Sequence, residues 1–245
     1  MLSEKPWQLE KVLLFCAALF FCLCLAAVAR DLLSRLGVTG FRHLEDFGSV
    51  VLGTLSFQGL AWVFILVFLR QHRVHWRDAF GFRGPDLKHA LLLAVRVAIV
   101  ILPVAWLLLT LSDLVLTRPG DEPAVQNVVK LIEGSTSPWM QIYLGVFAVA
   151  VVPVAEEFIF RGMLYPFIKR LGYPRLAWIG VSVLFALIHQ SAITFVPLFA
   201  LALALTWLYE KTDNLLAPIT THVIFNAANL AWMALGRLQD SPPHP

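Results

Sequence analysis

The sequence predicts an all-α fold, a polytopic transmembrane helical bundle of about seven spans. Three observations predict it. The chain is 59% hydrophobic and 14% charged, whereas a soluble domain is nearer half apolar and a quarter charged. Several apolar runs approach the roughly 20 residues that span a bilayer as helix. The basic residues cluster between those runs, where they report orientation rather than a partner. A net charge of +3 with no long basic tract argues against nucleic acid as a partner. With no internal repeat and no low-complexity tract, residues 1–245 read as a single integral membrane domain of unspecified oligomeric state.

In chain order, Lys5 and Lys11 precede a first span from Val12 to Ala29. Its end, Ala27-Val28-Ala29, resembles a small-residue cleavage site, but the run is longer than a signal core and a retained helix is expected. Cys16, Cys22 and Cys24 all lie in this run without a C-x-x-C spacing, so they read as small apolar filler. A mixed segment, Arg30 to Phe47, leads to a second span, Gly48 to Leu69. The loop Arg70 to Lys88 is the most basic in the chain and is placed in the cytoplasm. The third span, His89 to Leu111, carries Arg96, close enough to that loop to snorkel, with a buried acidic partner as the alternative. Pro103 is expected to kink it.

Ser112 to Pro138 reads as a polar loop with a short surface helix over Val125 to Ile132. The fourth span runs from Trp139 to Arg170, and Pro153 inside it loosens backbone bonding. Gly172-Tyr173-Pro174 is a turn signal. Three further spans follow, Leu176 to His189, Ile193 to Tyr209 and Leu215 to Leu235. Trp7, Trp76, Trp139, Trp178, Trp207 and Trp232 fall near span ends, as an interfacial belt requires. With the amino terminus cytoplasmic, the inner segments hold twice as many Lys and Arg as the outer ones, the arrangement the positive-inside rule favours.

Few ionisable residues lie outside loops and tails: Arg96, Glu156, Glu157, Arg161, His189 and His222. A carboxylate at membrane depth costs about 2.5–3.5 kcal/mol on insertion scales, so Glu156 and Glu157 demand a polar cavity and a role. Arg161 follows Glu157 by four positions, on the same helical face and in the favoured order. Glu156 is turned about 100° from that pair and is left for chemistry. Counting from the turn near Gly172, Glu156 and His189 are each about 16 residues away; equal separation in an antiparallel hairpin is equal depth. Phe185, one turn before His189, is placed to fix the ring. His222 and Asn226 share a face of the last span and can donate hydrogen bonds to a developing oxyanion, or simply tie helices together.

Glu156-Glu157-x-x-x-Arg161, Phe185-x-x-x-His189 and His222-x-x-x-Asn226, in that order on successive spans, resemble the three motifs of the CAAX-protease and bacteriocin-processing (CPBP, or Abi) intramembrane proteases. Leu208-Tyr209-Glu210-Lys211-Thr212 and Gly81-Phe82-Arg83 are also similar to that family. The resemblance covers residues 139–232 as a catalytic core, with 1–138 as amino-terminal spans. It implies hydrolysis of a peptide bond in a membrane-anchored protein or peptide, with the active site inside the bundle. Carried over by position, it implies that Glu156 activates water with help from His189. His222 and Asn226 would then form the oxyanion site, and Glu157 and Arg161 the support.

Such a carboxylate in a low-dielectric site is a better base. The family is often labelled metalloprotease, and Glu156, His189 and His222 could supply three zinc ligands with water as the fourth. No H-E-x-x-H pattern exists here, and a Glu156 bound to zinc could not also be the base, so no cofactor is expected. For His222, so near the start of its span, to meet Glu156, the end of the fourth span and the start of the fifth must project from the membrane. The site is then expected to open to the cytoplasm about 10 Å below the surface. The alternatives are a non-enzymatic immunity or partner protein with a polar core, and a proton-relaying transporter, for which the expected repeats are missing. The setting expected is a lipid bilayer, a bacterial inner (plasma) membrane with the amino terminus cytoplasmic.

Overall fold

The computed structural model describes residues 2–35, 47–82, 86–117, 131, 132, 134, 135 and 137–240. Every long element among them is a helix. We number them α1 (Leu9–Arg35), α2 (Phe47–Gln71), the short α3 (Trp76–Ala79), α4 (Leu87–Leu116), α5 (Pro138–Arg170), α6 (Pro174–Leu187), α7 (Ala192–Thr212) and α8 (Leu216–Asp240). Helices therefore stand at all seven positions expected to span. Among the described residues, three of them, α4, α5 and α7, are long and apolar enough to cross a membrane. The 14 residues of α6 reach about 21 Å, short of the roughly 30 Å hydrocarbon core. This is an integral membrane protein.

The boundaries differ from the sequence reading at particular places. α1 continues to Arg35, where Arg35 pairs with Asp31 at 2.8 Å, so residues 30–35 are helix rather than loop. α4 extends to Leu116. The expected helix over Val125 to Ile132 lies outside the described residues but for its last two positions, and Arg83 lies outside them as well.

The bundle is organised on α4 and α7. Ala90, Ala94, Ala98, Ile101 and Ala105 form a buried stripe on α4, and small residues let helices approach closely. α4 packs mainly against α7 and α8, and α7 also against α6. Thr221 Oγ1 on α8 donates to the Ala94 carbonyl at 2.9 Å, a buried link where water cannot compete. The turn between α7 and α8 is left-handed at Asp213 (φ 46°), and a β-carbon on Gly81 (φ 76°) would run into the Asp213 carbonyl. Leu215 N donates to the Phe80 carbonyl at 2.9 Å, so the basic loop is sewn to this turn.

α5 is the irregular element. Two π-helical segments, Phe147–Val151 and Phe158–Leu164, flank six α-helical residues, Val152–Glu157. Prolines explain both. Pro153 and Pro166 have no N–H, so carbonyls one turn earlier lose their helical partner, and the helix widens around them. Each gap is filled from elsewhere in the fold: Asn226 Nδ2 donates to the Ala148 carbonyl at 2.9 Å, and Trp7 Nε1 to the Gly162 carbonyl at 2.9 Å.

The second bond corrects the reading of Trp7 as an interfacial anchor. Trp7 is 2% exposed, packed against Phe68 and Phe80. The segment before α1 is held along its length. Leu2 N donates to Glu210, Lys5 Nζ to Asp213 at 2.9 Å, and Arg170 to the carbonyls of Lys5 and Trp7. The other five tryptophans named above are exposed, as a belt residue would be, and so is Arg96.

Candidate active site

The two π segments bring Glu156 and Glu157 to the middle of the bundle at different rotations. Glu157 is fully buried, and its Oε1 accepts from Arg161 Nη1 at 2.8 Å, one helical turn on. Arg161, also fully buried, continues to α7: Nη2 donates to the Ala202 carbonyl at 3.2 Å and Nε to Thr206 Oγ1 at 3.4 Å. Thr206 passes its own proton to the same carbonyl at 2.9 Å. A buried charge pair is tolerable only when its remaining donors are satisfied, and here α7 satisfies them.

Glu157 does more than hold Arg161. Its Oε1 also lies 2.9 Å from His222 Nδ1 on α8. A carboxylate accepts only, so Nδ1 carries the proton and Nε2 is turned outward. That Nε2 lies 3.8 Å from Glu156 Oε2. The other oxygen of Glu157, Oε2, is buried with no hydrogen-bond partner among the described residues.

His189 sits just beyond α6, in the turn after Leu187, not inside the helix as the sequence reading had it; its N–H reaches back to the Ala186 carbonyl at 3.3 Å. Nδ1 donates to the Phe185 carbonyl at 2.8 Å, which leaves Nε2 free of that bond. Among the described residues no hydrogen bond joins His189 to Glu156; the His189 ring is held by Phe185. Phe185 is fully buried at the centre: its ring lies 4.9 Å from His189, 5.7 Å from His222 and 4.6 Å from the Arg161 guanidinium. Asn226 spends one amide hydrogen on Ala148, and an NH2 group has a second.

The seven residues singled out in the sequence thus stand on α5, α8 and the end of α6; contacts join Glu156, Glu157, Arg161, Phe185, His189 and His222, while Asn226 reaches Ala148. Residues 138–228, a little over a third of the chain, match the family model described as type II CAAX prenyl endopeptidase Rce1-like. This stretch is similar to an Rce1-like domain. The match begins where α5 begins and ends within α8, so the matched stretch holds Glu156, Glu157, Arg161, Phe185, His189, His222 and Asn226. No curated protein and no solved structure matches the chain. The family is a protease family, and intramembrane proteolysis in general terms follows from it together with the apolar helices.

Among the described residues, no group of three or more His, Cys, Asp and Glu side chains is disposed to hold a metal ion. The sequence reading missed Thr206, Ala202, Ala148 and Trp7, which the domain uses as partners. Thr206 left the faint signal of one hydroxyl in an apolar run. The two carbonyls left none beyond the prolines that freed their neighbourhood.

Proposed function

We propose that this protein is an intramembrane endopeptidase of the glutamate type, acting on a membrane-anchored protein or peptide. In this reading Glu156 removes a proton from water, and the resulting hydroxide attacks the scissile carbonyl carbon. His189, through Nε2, positions that water. The negative charge arriving on the carbonyl oxygen is met by the spare Asn226 N–H and by His222. Because His222 gives its Nδ1–H to Glu157, it can donate from Nε2 only as an imidazolium, with Glu157 as its counter-charge. Collapse of the tetrahedral species passes the proton from Glu156 to the departing amine.

The observation that carries the reading is the approach of Glu156 to His222 at 3.8 Å, between helices far apart in sequence, inside a stretch that matches an endopeptidase family. No cofactor is assigned, and loss of activity on chelation with a stoichiometric metal in the purified protein would overturn the glutamate type. In this reading the site lies within the bilayer, open to the cytoplasm, in a bacterial inner membrane with the amino terminus inside and the chain as one domain. The length of α5, about 50 Å for 33 residues at 1.5 Å each, supports one part of it, that an end of α5 projects beyond the hydrocarbon core.

A non-enzymatic partner protein is the second reading. It draws on the way Glu157, Arg161 and Asn226 are each tied to a neighbouring helix, through His222, Ala202 and Ala148, as in a structural polar core. One substitution separates the two. Glu156→Gln is expected to insert and fold normally and to leave the substrate uncut in a deletion strain; retained processing by that variant would defeat the enzyme.

A further inference from the structure

A cavity of about 380 Å3 lies between α2, α3, α5 and α8, with Trp62, Leu66, Leu69, Trp76, Val154 and Phe158 in its wall. Its lining is almost wholly apolar, and Leu66 and Trp76 mark an open side, 56% and 45% exposed. Its size is at the lower end of small-molecule sites. Apart from the indole N–H groups of Trp62 and Trp76, the side chains of the wall offer peptide groups no partners, and an unpaired N–H or C=O away from water is costly. A hydrocarbon chain fits such a lining and a peptide does not.

Two observations separate this cavity from the reacting groups and define the rest of its occupant. Val154 and Phe158 each stand two residues from Glu156, hence about 200° round the helix, so the cavity backs the opposite face of α5. The chain next to its lining residues is basic. Arg70 follows Leu69, Arg73 and Arg77 lie in the next turns, and all three are exposed. The Arg77 guanidinium lies over the ring of Trp76 at 5.4 Å. Asp78 is the one acidic residue between Arg70 and Phe82. Basic residues at the membrane surface attract anionic headgroups, and a Trp with an Arg beside it is suited to that depth.

We propose that this is a binding site for an anionic phospholipid of the surrounding bilayer, with one acyl chain in the cavity and the phosphate against Arg70, Arg73 and Arg77. The lipid sits behind α5 as a wedge and takes no part in the peptide-bond chemistry. The inference does not depend on the proposed activity.

The test uses the full chain in detergent micelles doped with phosphatidylglycerol or phosphatidylcholine brominated in the acyl chain. Bromine quenches the indole of Trp62, whose share of the signal is found by comparison with Trp62→Phe. Saturable quenching is expected at a mole fraction of phosphatidylglycerol about tenfold lower than for phosphatidylcholine. Arg70→Gln with Arg77→Gln is expected to abolish that difference, and Arg70→Lys with Arg77→Lys to keep it. Quenching that rises in proportion to lipid, alike for both headgroups, would mean ordinary bilayer contact and overturn the site. A preference that survives the double Gln substitution would overturn the headgroup assignment.

Discussion

Two adjacent carboxylates in this chain have different surroundings because a step of one residue on a helix turns a side chain by about 100°. Glu157 is locked between Arg161 and His222, while Glu156 touches no cation closer than 3.8 Å. Substitutions at the two positions should therefore fail differently. Removing Arg161, as in Arg161→Met, leaves the buried Glu157 charge uncompensated and is expected to cost about 3–5 kcal/mol, read as a lower denaturation midpoint in detergent. Arg161→Lys is not conservative here, because one ammonium cannot reproduce a fork that reaches Glu157, Ala202 and Thr206. Glu156→Gln should leave that midpoint within about 0.5 kcal/mol of the parent while processing stops. A stability loss at Glu156→Gln as large as at Arg161→Met would contradict the division of labour.

At the scale of the element, α5 is shaped by what its prolines cannot do. Pro153 and Pro166 each remove a donor, and Asn226 and Trp7 make good the loss from outside the helix. Trp7→Phe keeps an aromatic ring and deletes the N–H donor, which leaves a buried carbonyl unpaired at about 1–3 kcal/mol. The same measurement on a protein with intact Trp7 sets the reference, and no change would show that the Gly162 carbonyl is satisfied otherwise. Gly162 tests the packing of the same turn. A β-carbon there comes within 2.8 Å of the Phe80 ring, and Phe80 is fully buried among Trp7, Phe82 and Phe158. Gly162→Ala is therefore expected to destabilise by about 1–3 kcal/mol through overpacking; a neutral result would mean that Phe80 can move.

Across the whole molecule, the segment before α1 joins parts that the sequence keeps far apart: α2, α5 and the turn after α7. One of its joints is titratable. His72, just past the end of α2, donates from Nδ1 to the Phe68 carbonyl at 2.8 Å and accepts at Nε2 from the Gln8 N–H at 3.0 Å. Only the neutral ring can do both. Burial lowers the His72 pKa below the usual value and nearby Lys11 adds to this, with the Phe68 bond acting the other way. A His held below its unfolded value stabilises fully above about pH 6.5, and that contribution is lost as pH falls from there towards the folded value. The protection factor of the Gln8 amide is expected to fall over that window as pH drops, and to lose that pH step in His72→Gln. Equal protection of Gln8 at pH 8 and pH 5 would count against this joint.

The sequence by itself determined that the chain is helical and membrane-embedded and where its long apolar runs lie, because composition, run length and helical phase are local properties. The Glu157–Arg161 pair was legible for the same reason, being four residues apart on one helix. The hairpin count brought Glu156 and His189 to a common depth but did not show that α6 ends at Leu187, since a helix end is decided by its last backbone partners. Only the tertiary structure decided that His222 is held by Glu157, that Trp7 is a core residue rather than a membrane anchor, and that α5 widens on both sides of its glutamates. Each of these depends on which carbonyl or carboxylate a distant side chain can reach, and that distance does not exist until the helices have packed.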